Sequence, residues 1–122
     1  MQQTFIQKII VQESQTASEY SSGLLPVYAT PALVALMENT AMQLIDLPEG
    51  SSSVGILINV KHIKASPVGA EITCKATLNK VEGRKYTFNL AATDNNGDII
   101  GTATHERVVI DVNRFMAKLK QQ

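Results

Sequence analysis

The sequence is poor in the residues that build several common kinds of site. Cys74 is the only cysteine among 122 residues, so the chain has neither an internal disulfide nor a cysteine metal cluster. The 11 basic and 11 acidic residues balance, which gives no electrostatic reason to expect a nucleic acid or an acidic membrane as partner. No apolar run is long enough to cross a bilayer, and the first residues lack the layout of a secretion signal. We therefore expect a cytoplasmic protein with no nucleic-acid or membrane partner.

The motifs of several large enzyme classes are also missing. The sequence contains no nucleophile elbow, no P-loop and no glycine-rich dinucleotide fingerprint. Its two histidines, His62 and His105, lie far apart in the chain, and no cysteine or aspartate is arranged around them. Such a set makes a poor metal site, and we expect no metal.

The most distinctive segment that is present runs from Pro26 to Leu47. Threonine is a good helix N-cap, and proline is tolerated at the first helical position, so Thr30-Pro31 predicts a helix start. The helix is predicted to extend from about Pro31 to Asp46. Its apolar residues are too many for one narrow stripe, which indicates a buried helix.

Glu38 interrupts this apolar pattern near the middle of the predicted helix. Its helix-surface neighbours three and four positions away cannot pair with a charge, being Val34, Ala35, Ala41 and Met42. Two interpretations are open. Glu38 is a candidate for chemistry, because a carboxylate in apolar surroundings is costly to keep ionised. Alternatively, it reaches solvent through a gap or pairs with a distant arginine or lysine.

The rest of the chain changes from helical periodicity to an alternation of period two. The pattern predicts strands over residues 4–12, 54–65, 70–81, 85–93 and 99–110, and a short amphipathic helix over residues 111–120. Turn signals such as Asp94-Asn95-Asn96-Gly97 predict hairpins, which force antiparallel pairing. The result is an α+β fold in a single domain over residues 1–122, with a curved antiparallel β-sheet wrapped around one long central α-helix. Open sheet edges favour a dimer.

The two histidines take different positions in this predicted sheet. His62 shares a strand face with Ile56, Ile58 and Val60, and that face should point toward the helix. A lone histidine on an apolar face is more often a core residue, but a facing Glu38 would make an acid–base pair. For His105 and Glu106, near the end of the last strand, we favour a structural salt bridge or a solvated edge.

Three segments carry a family resemblance: PVYATPALVALMENTA, SSSVGILINVKHIKASPVGAEI and VEGRKYTFNLAATDNNGDIIGTATHERVVID. Together they resemble the hot-dog thioesterases of the fluoroacetyl-CoA thioesterase type, over roughly residues 27–118. The resemblance implies the hot-dog fold and a catalytic set falling on Thr30, Glu38 and His62. It also implies that Gly55 is the strand glycine that approaches the thioester, and that Arg107 is the arginine near the acyl-CoA.

The same resemblance implies an activity and an assembly. We expect hydrolysis of a short or medium acyl-CoA to free acid and coenzyme A, with no cofactor beyond the coenzyme A of the substrate. Glu38 would act as general base or as nucleophile, assisted by Thr30 and His62. The family is dimeric with active sites at the subunit interface, so one site can combine residues of both chains.

One departure from the family pattern bears on the substrate. The fluoroacetyl-specific member has an aromatic-rich segment before the helix, whereas residues 21–25 here read SSGLL, so we do not expect fluoroacetate selectivity. The alternative function is a non-catalytic hot-dog dimer that binds an acyl-CoA or another small ligand. A hydratase is disfavoured, because the His-Phe-Pro and Asp-x-x-x-x-His runs of dehydratase-type hot-dog proteins are missing.

Overall fold

Five strands and two helices make up the computed structural model of this protein, which describes residues 3–121. In chain order they are β1 (Thr4–Ile10), α1 (Thr30–Met42), β2 (Ser51–His62), β3 (Glu71–Glu82), β4 (Lys85–Thr93), β5 (Ile99–Asp111) and α2 (Val112–Leu119), with one short 3₁₀ turn at Glu13–Gln15. Neither helix is long and apolar enough to cross a membrane.

All five strands join one antiparallel sheet in the order β1-β3-β4-β5-β2. Hairpins connect β3 to β4 and β4 to β5, as the Asn-Gly and Gly turn signals predicted. The strands β1 and β2 lie at the two edges of the sheet, so each has one side without a strand partner in the described chain. The predicted α+β class with an antiparallel sheet is confirmed.

The core lies between α1 and one face of the sheet. The helix contacts all five strands. Leu33 and Met37 of α1 are fully buried, as are Ile72, Cys74 and Phe88 of the sheet. Burying each large apolar side chain contributes about 1.5–3 kcal/mol, so this layer accounts for much of the stability.

The helix α1 is shorter than predicted. It has 13 residues and ends at Met42 rather than at Asp46, so the prediction of one long central helix is wrong. Beyond Met42 the chain tightens: the N–H of Leu44 donates to the carbonyl of Ala41, and the N–H of Ile45 to that of Met42. These i→i−3 bonds turn Leu44 and Ile45 into the core, where both are buried.

The helix is also not buried on every side. Its residues Pro31, Ala35, Asn39 and Met42 are exposed, and together they form the face that points away from the sheet. The prediction that α1 is buried on every side is therefore wrong for the single chain.

A β-bulge in β2 changes which residues face the helix. Gly55 pairs with Arg107 and Leu57 pairs with Glu106, so Ile56 has no partner on β5. Period two would put Ile56 on the helix side and Gly55 on the opposite side. Instead Ile56 is 54% exposed, and Gly55 faces the helix on the same side of the sheet as His62. The predicted faces were wrong at this point and correct from Ile58 onward.

Candidate functional site

Thr30 and His62 form a hydrogen-bonded pair at one end of β2. The distance between Thr30 Oγ1 and His62 Nδ1 is 2.7 Å. Ala29, not Thr30, is the N-cap of α1, and no side chain caps the helix. The predicted capping role of Thr30 is therefore wrong, and its hydroxyl is directed to the imidazole at the C-terminal end of β2.

The imidazole of His62 lies beside a cavity of about 280 Å³. Its lining includes Ala17, Val27 and Tyr28, and the Tyr28 ring meets the His62 ring edge-on with the centroids 6.4 Å apart. Burial lowers the pKa of His62, and the nearby backbone of Lys64 acts more weakly in the opposite direction. Burial therefore favours the neutral form of the ring.

The second ring nitrogen of His62 has no partner. Nε2 is buried and forms no hydrogen bond to any residue of the described chain, 3–121. An unpaired buried polar atom costs about 1–3 kcal/mol, so this nitrogen is a feature that the single chain leaves unsatisfied.

Glu38 and Arg107 form a second group of polar side chains, near the N-terminal end of β2. Arg107 Nη1 lies 4.0 Å from Glu38 Oε2, and the Glu38 side chain is 39% exposed whereas that of Arg107 is 9% exposed. Ser53 holds the guanidinium: Nε donates to its hydroxyl at 2.9 Å and Nη2 donates to its carbonyl at 3.0 Å. Glu38 thus lies beside a distant arginine and is open to solvent, as the second interpretation expected, and the same carboxylate stays a candidate for chemistry.

His105 is the third member of this second group. It is 1% exposed, its Nδ1 lies 2.7 Å from the carbonyl oxygen of Leu57, and its Nε2 lies 3.3 Å from Arg107 Nη1. The ring stacks on Phe88 with the centroids 6.2 Å apart. The expectation of a salt bridge or a solvated edge is therefore wrong for His105, because the side chain points into the protein.

For Glu106 the same expectation was correct. It lies on the other face of β5, where its carboxylate is 3.8 Å from Lys85 Nζ. The sequence held a signal for the difference: Thr102, Thr104 and Glu106 alternate as polar residues, which indicates that His105 lies on the opposite, buried face.

Gly55 leaves room where these three side chains converge. A Cβ at this position would lie 2.9 Å from Glu38 Oε2, 3.2 Å from His105 Cε1 and 3.4 Å from Arg107 Nη1. No side chain fits without displacing one of them. The missing side chain also keeps the backbone beside the Glu38 carboxylate accessible to a ligand.

The two groups lie at opposite ends of β2. His62 follows Gly55 by seven positions, which at about 3.3 Å per residue is roughly 20 Å. The sequence-based expectation that Glu38 meets His62 across the core is therefore wrong within one chain. The imidazole beside Glu38 belongs to His105, and no three His, Cys, Asp or Glu side chains within residues 3–121 are grouped to hold a metal ion.

The family model described as fluoroacetyl-CoA-specific thioesterase matches residues 11–113. This chain belongs to that family. It is 40% identical over 98 residues to the fluoroacetyl-CoA thioesterase of Streptantibioticus cattleyicolor, a match that covers 79% of this chain and 70% of the relative. The predicted resemblance and the prediction of a thioester hydrolase are thereby confirmed.

Solved structures agree with this family membership. A structure of the fluoroacetyl-CoA thioesterase FlK matches with a TM-score of 0.93 and 33% identity, covering 100% of this chain and 97% of that one. A variant of FlK in complex with fluoroacetate and CoA matches with a TM-score of 0.87 and 33% identity, covering 94% and 99%. A thioesterase superfamily member from Thermus thermophilus matches with a TM-score of 0.88 and 25% identity, covering 97% and 88%. The fold is thus the predicted hot-dog fold.

Proposed function

We propose that this protein hydrolyses short or medium acyl-CoA thioesters to free acid and coenzyme A. Each active site combines Glu38, Gly55 and Arg107 of one chain with Thr30 and His62 of a second copy. The observation that carries the proposal is that an edge strand, β2, holds these two incomplete halves at its two ends.

Pairing of two β2 edges would join the halves. In an antiparallel pair with its two-fold axis between Ile58 and Asn59, Gly55 lies opposite the partner's His62. Glu38 then approaches the partner's Thr30 and His62.

The surface beside β2 supports such an interface. Two adjacent large apolar side chains of β2 are exposed in the single chain, namely Ile56 and Leu57. Exposed apolar side chains next to an open strand edge favour association, because pairing satisfies the backbone and removes the side chains from water.

The chemistry proposed for the joined site needs no metal or cofactor. Glu38 either takes a proton from the attacking water or attacks the thioester carbonyl itself, forming an anhydride that water then opens. In the first route the C–S bond breaks as the proton taken from water passes from Glu38 to the thiolate of coenzyme A. In the second route the thiolate leaves when the anhydride forms, and it takes up a proton from the water that then opens the anhydride and restores the Glu38 carboxylate. His62, hydrogen-bonded to Thr30, orients the attacking group or relays that proton to the thiolate.

The developing oxyanion also needs hydrogen-bond donors. The N–H of Gly55 and the N-terminal end of α1, which carries a partial positive charge, are the donors we assign. Removal of one such donor typically costs roughly 3 kcal/mol of transition-state stabilisation. Arg107 contributes a fixed positive charge next to Glu38 and the acyl-CoA.

For the acyl group we propose the cavity beside His62. Its lining mixes apolar side chains such as Val27 and Ile63 with polar ones such as Ser22 and Lys64, and its volume of about 280 Å³ suits a short acyl chain better than a long one. Residues 21–25 contribute no phenylalanine, and Leu24 and Leu25 are exposed. We therefore expect no selectivity for fluoroacetyl-CoA over other short acyl-CoA thioesters. We further propose that the whole chain acts as one cytoplasmic domain.

The test is a hydrolysis screen over acyl-CoA thioesters of increasing chain length, with released thiol measured by a thiol reagent. We expect turnover of short or medium substrates by the wild-type protein and none above background by Glu38→Gln. Saturable binding of acyl-CoA by the wild-type protein without thiol release from any substrate would instead establish the non-catalytic binding alternative.

A further inference from the structure

We propose that His105 is a positioning residue for the reaction. As a neutral imidazole with its proton on Nδ1, it accepts a hydrogen bond from Arg107 and thereby directs the guanidinium toward Glu38. The inference deepens the proposed function and rests on it, because Glu38 is the group whose position would matter for hydrolysis.

The contacts of the ring determine where its proton lies. The Leu57 carbonyl can only accept a hydrogen bond, so His105 Nδ1, at 2.7 Å from it, must be the donor. In a neutral imidazole the other nitrogen is then an acceptor. Arginine has only donors, so the 3.3 Å contact runs from Arg107 Nη1 to His105 Nε2. The two hydrogen bonds are compatible only with the neutral Nδ1–H form.

The same contact completes the fixation of Arg107. Ser53 already holds Nε and Nη2, and His105 holds one N–H of Nη1. Nη1 also lies 4.0 Å from Glu38 Oε2. A guanidinium held on three nitrogens has little freedom to rotate. Ser53 and His105 therefore set the position of the Arg107 charge relative to the Glu38 carboxylate.

A charged imidazole would undo this arrangement. Within the described chain, the charged groups around His105 are Arg107 and Glu106 on β5 and Glu38 on α1, while Phe88 of β4 covers the ring. Burial has the largest effect and lowers the pKa of His105. The Leu57 carbonyl raises it, the Arg107 charge lowers it, and the Glu38 and Glu106 charges raise it. Protonation of Nε2 would replace the acceptor by a donor pointing at a cation, and Arg107 would have to move.

Three substitutions separate the role of Nε2 from the role of the ring in packing. His105→Gln puts an amide oxygen at about the reach of Nε2, whereas His105→Asn retains an N–H near the place of Nδ1 but no acceptor for Arg107. We expect Gln to keep kcat within about threefold, and Asn and Phe to lower kcat about tenfold or more with little change in KM. Glu106→Gln, on the opposite face of β5, is the matched control and should leave both constants unchanged.

A double-mutant cycle shows whether His105 acts through Arg107. In the Arg107→Lys background, His105→Asn should lower kcat/KM by less than about twofold, because the group it positions is already gone. Additive losses in the double variant, or equal losses for Gln and Asn at position 105, would overturn the inference.

A measurement that does not depend on turnover completes the test. The ¹⁵N chemical shifts of the His105 ring at pH 7 should report a protonated Nδ1 and an unprotonated Nε2. An Nε2–H ring or an imidazolium would overturn the inference even in an active enzyme. If the wild-type protein hydrolyses no acyl-CoA, the proposed function fails. The ¹⁵N shifts then still decide whether the His105 ring has the protonation state that lets it accept a hydrogen bond from Arg107.

Discussion

Thr30 and His62 lie within hydrogen-bonding distance of each other, 2.7 Å from Oγ1 to Nδ1, although 32 positions separate them in the chain. The pair ties the start of α1 to the end of β2. It fixes the ring so that Nε2 points away from Thr30, with no hydrogen-bond partner among residues 3–121. The direction of this nitrogen depends on one hydroxyl group.

Removal of that hydroxyl should lower activity without unfolding the protein. We expect Thr30→Val, which keeps the shape of the side chain, to reduce kcat about tenfold or more, because His62 loses the contact that orients it. Thr30→Ser retains the hydroxyl and should stay within a few-fold of the wild-type value. Steady-state kinetics with the best acyl-CoA substrate measures both. Equal activity of the Val and Ser variants would contradict the role of the hydrogen bond.

Glu38→Gln should nearly abolish turnover. The amide has almost the same size but can neither accept a proton from water nor attack the thioester, so we expect kcat to fall about 100-fold or more. The half-exposed position of Glu38 predicts little change in the thermal unfolding temperature. Glu82→Gln, on an exposed strand end, is the control and should have wild-type activity. Near-wild-type turnover by Glu38→Gln would end the hydrolase proposal in its present form.

Substitution of two glycines should separate activity from stability. Gly55→Ala puts a methyl group 2.9 Å from Glu38 Oε2, and this half-exposed carboxylate can turn away, so activity should fall more than stability. Gly101→Ala puts a methyl group 2.8 Å from the buried Leu33 Cδ2 and 3.1 Å from the Lys61 carbonyl, so stability should fall by about 1–3 kcal/mol. Urea unfolding and steady-state kinetics on both variants test the contrast. The contrast would be contradicted if Gly55→Ala lowered mainly the stability and Gly101→Ala lowered only the activity.

Stability should decrease as the solution is made mildly acidic. Burial lowers the pKa of both His62 and His105 from the ordinary value of 6.5. The unfolded chain therefore binds more protons than the folded one, and the stability from each neutral ring is fully present above pH 6.5 and lost as the pH falls through the folded-state pKa. The free energy of unfolding in urea should decrease as the pH falls below about 6.5. His105→Gln should flatten this slope, and an unchanged slope in that variant would show that His105 does not contribute.

Much of the fold could be predicted from the sequence because alternation and turn residues define strands well. The hairpin around Asp94-Asn95-Asn96-Gly97 and the buried positions of β3 and β4 followed directly from the pattern. The end of α1 did not, because Leu44 and Ile45 continue the apolar spacing. Leu44 and Ile45 would be buried whether the chain continued as an α-helix or tightened into the i→i−3 turn that is observed. The apolar spacing alone therefore does not show where the helix ends.

The candidate site was harder to predict than the fold. Ile56, Leu57 and Ile58 are all large and apolar, so nothing in the pattern shows that Ile56 is the extra residue of a bulge. That bulge turns Gly55 toward Glu38, and a strict alternation misses it. The family resemblance named the residues Thr30, Glu38 and His62, but their separation into two halves depends on tertiary packing that a linear pattern does not contain.

The measurement that tests the central claim most directly is complementation between two inactive variants. Glu38→Gln and His62→Asn are purified separately, mixed in equal amounts, and allowed to exchange subunits. If each site combines Glu38 of one chain with the partner's His62, each mixed dimer has one intact site, and the mixture should regain about one quarter of the wild-type activity. A mixture that is no more active than its two components, after mass spectrometry has shown mixed dimers, would contradict the shared site.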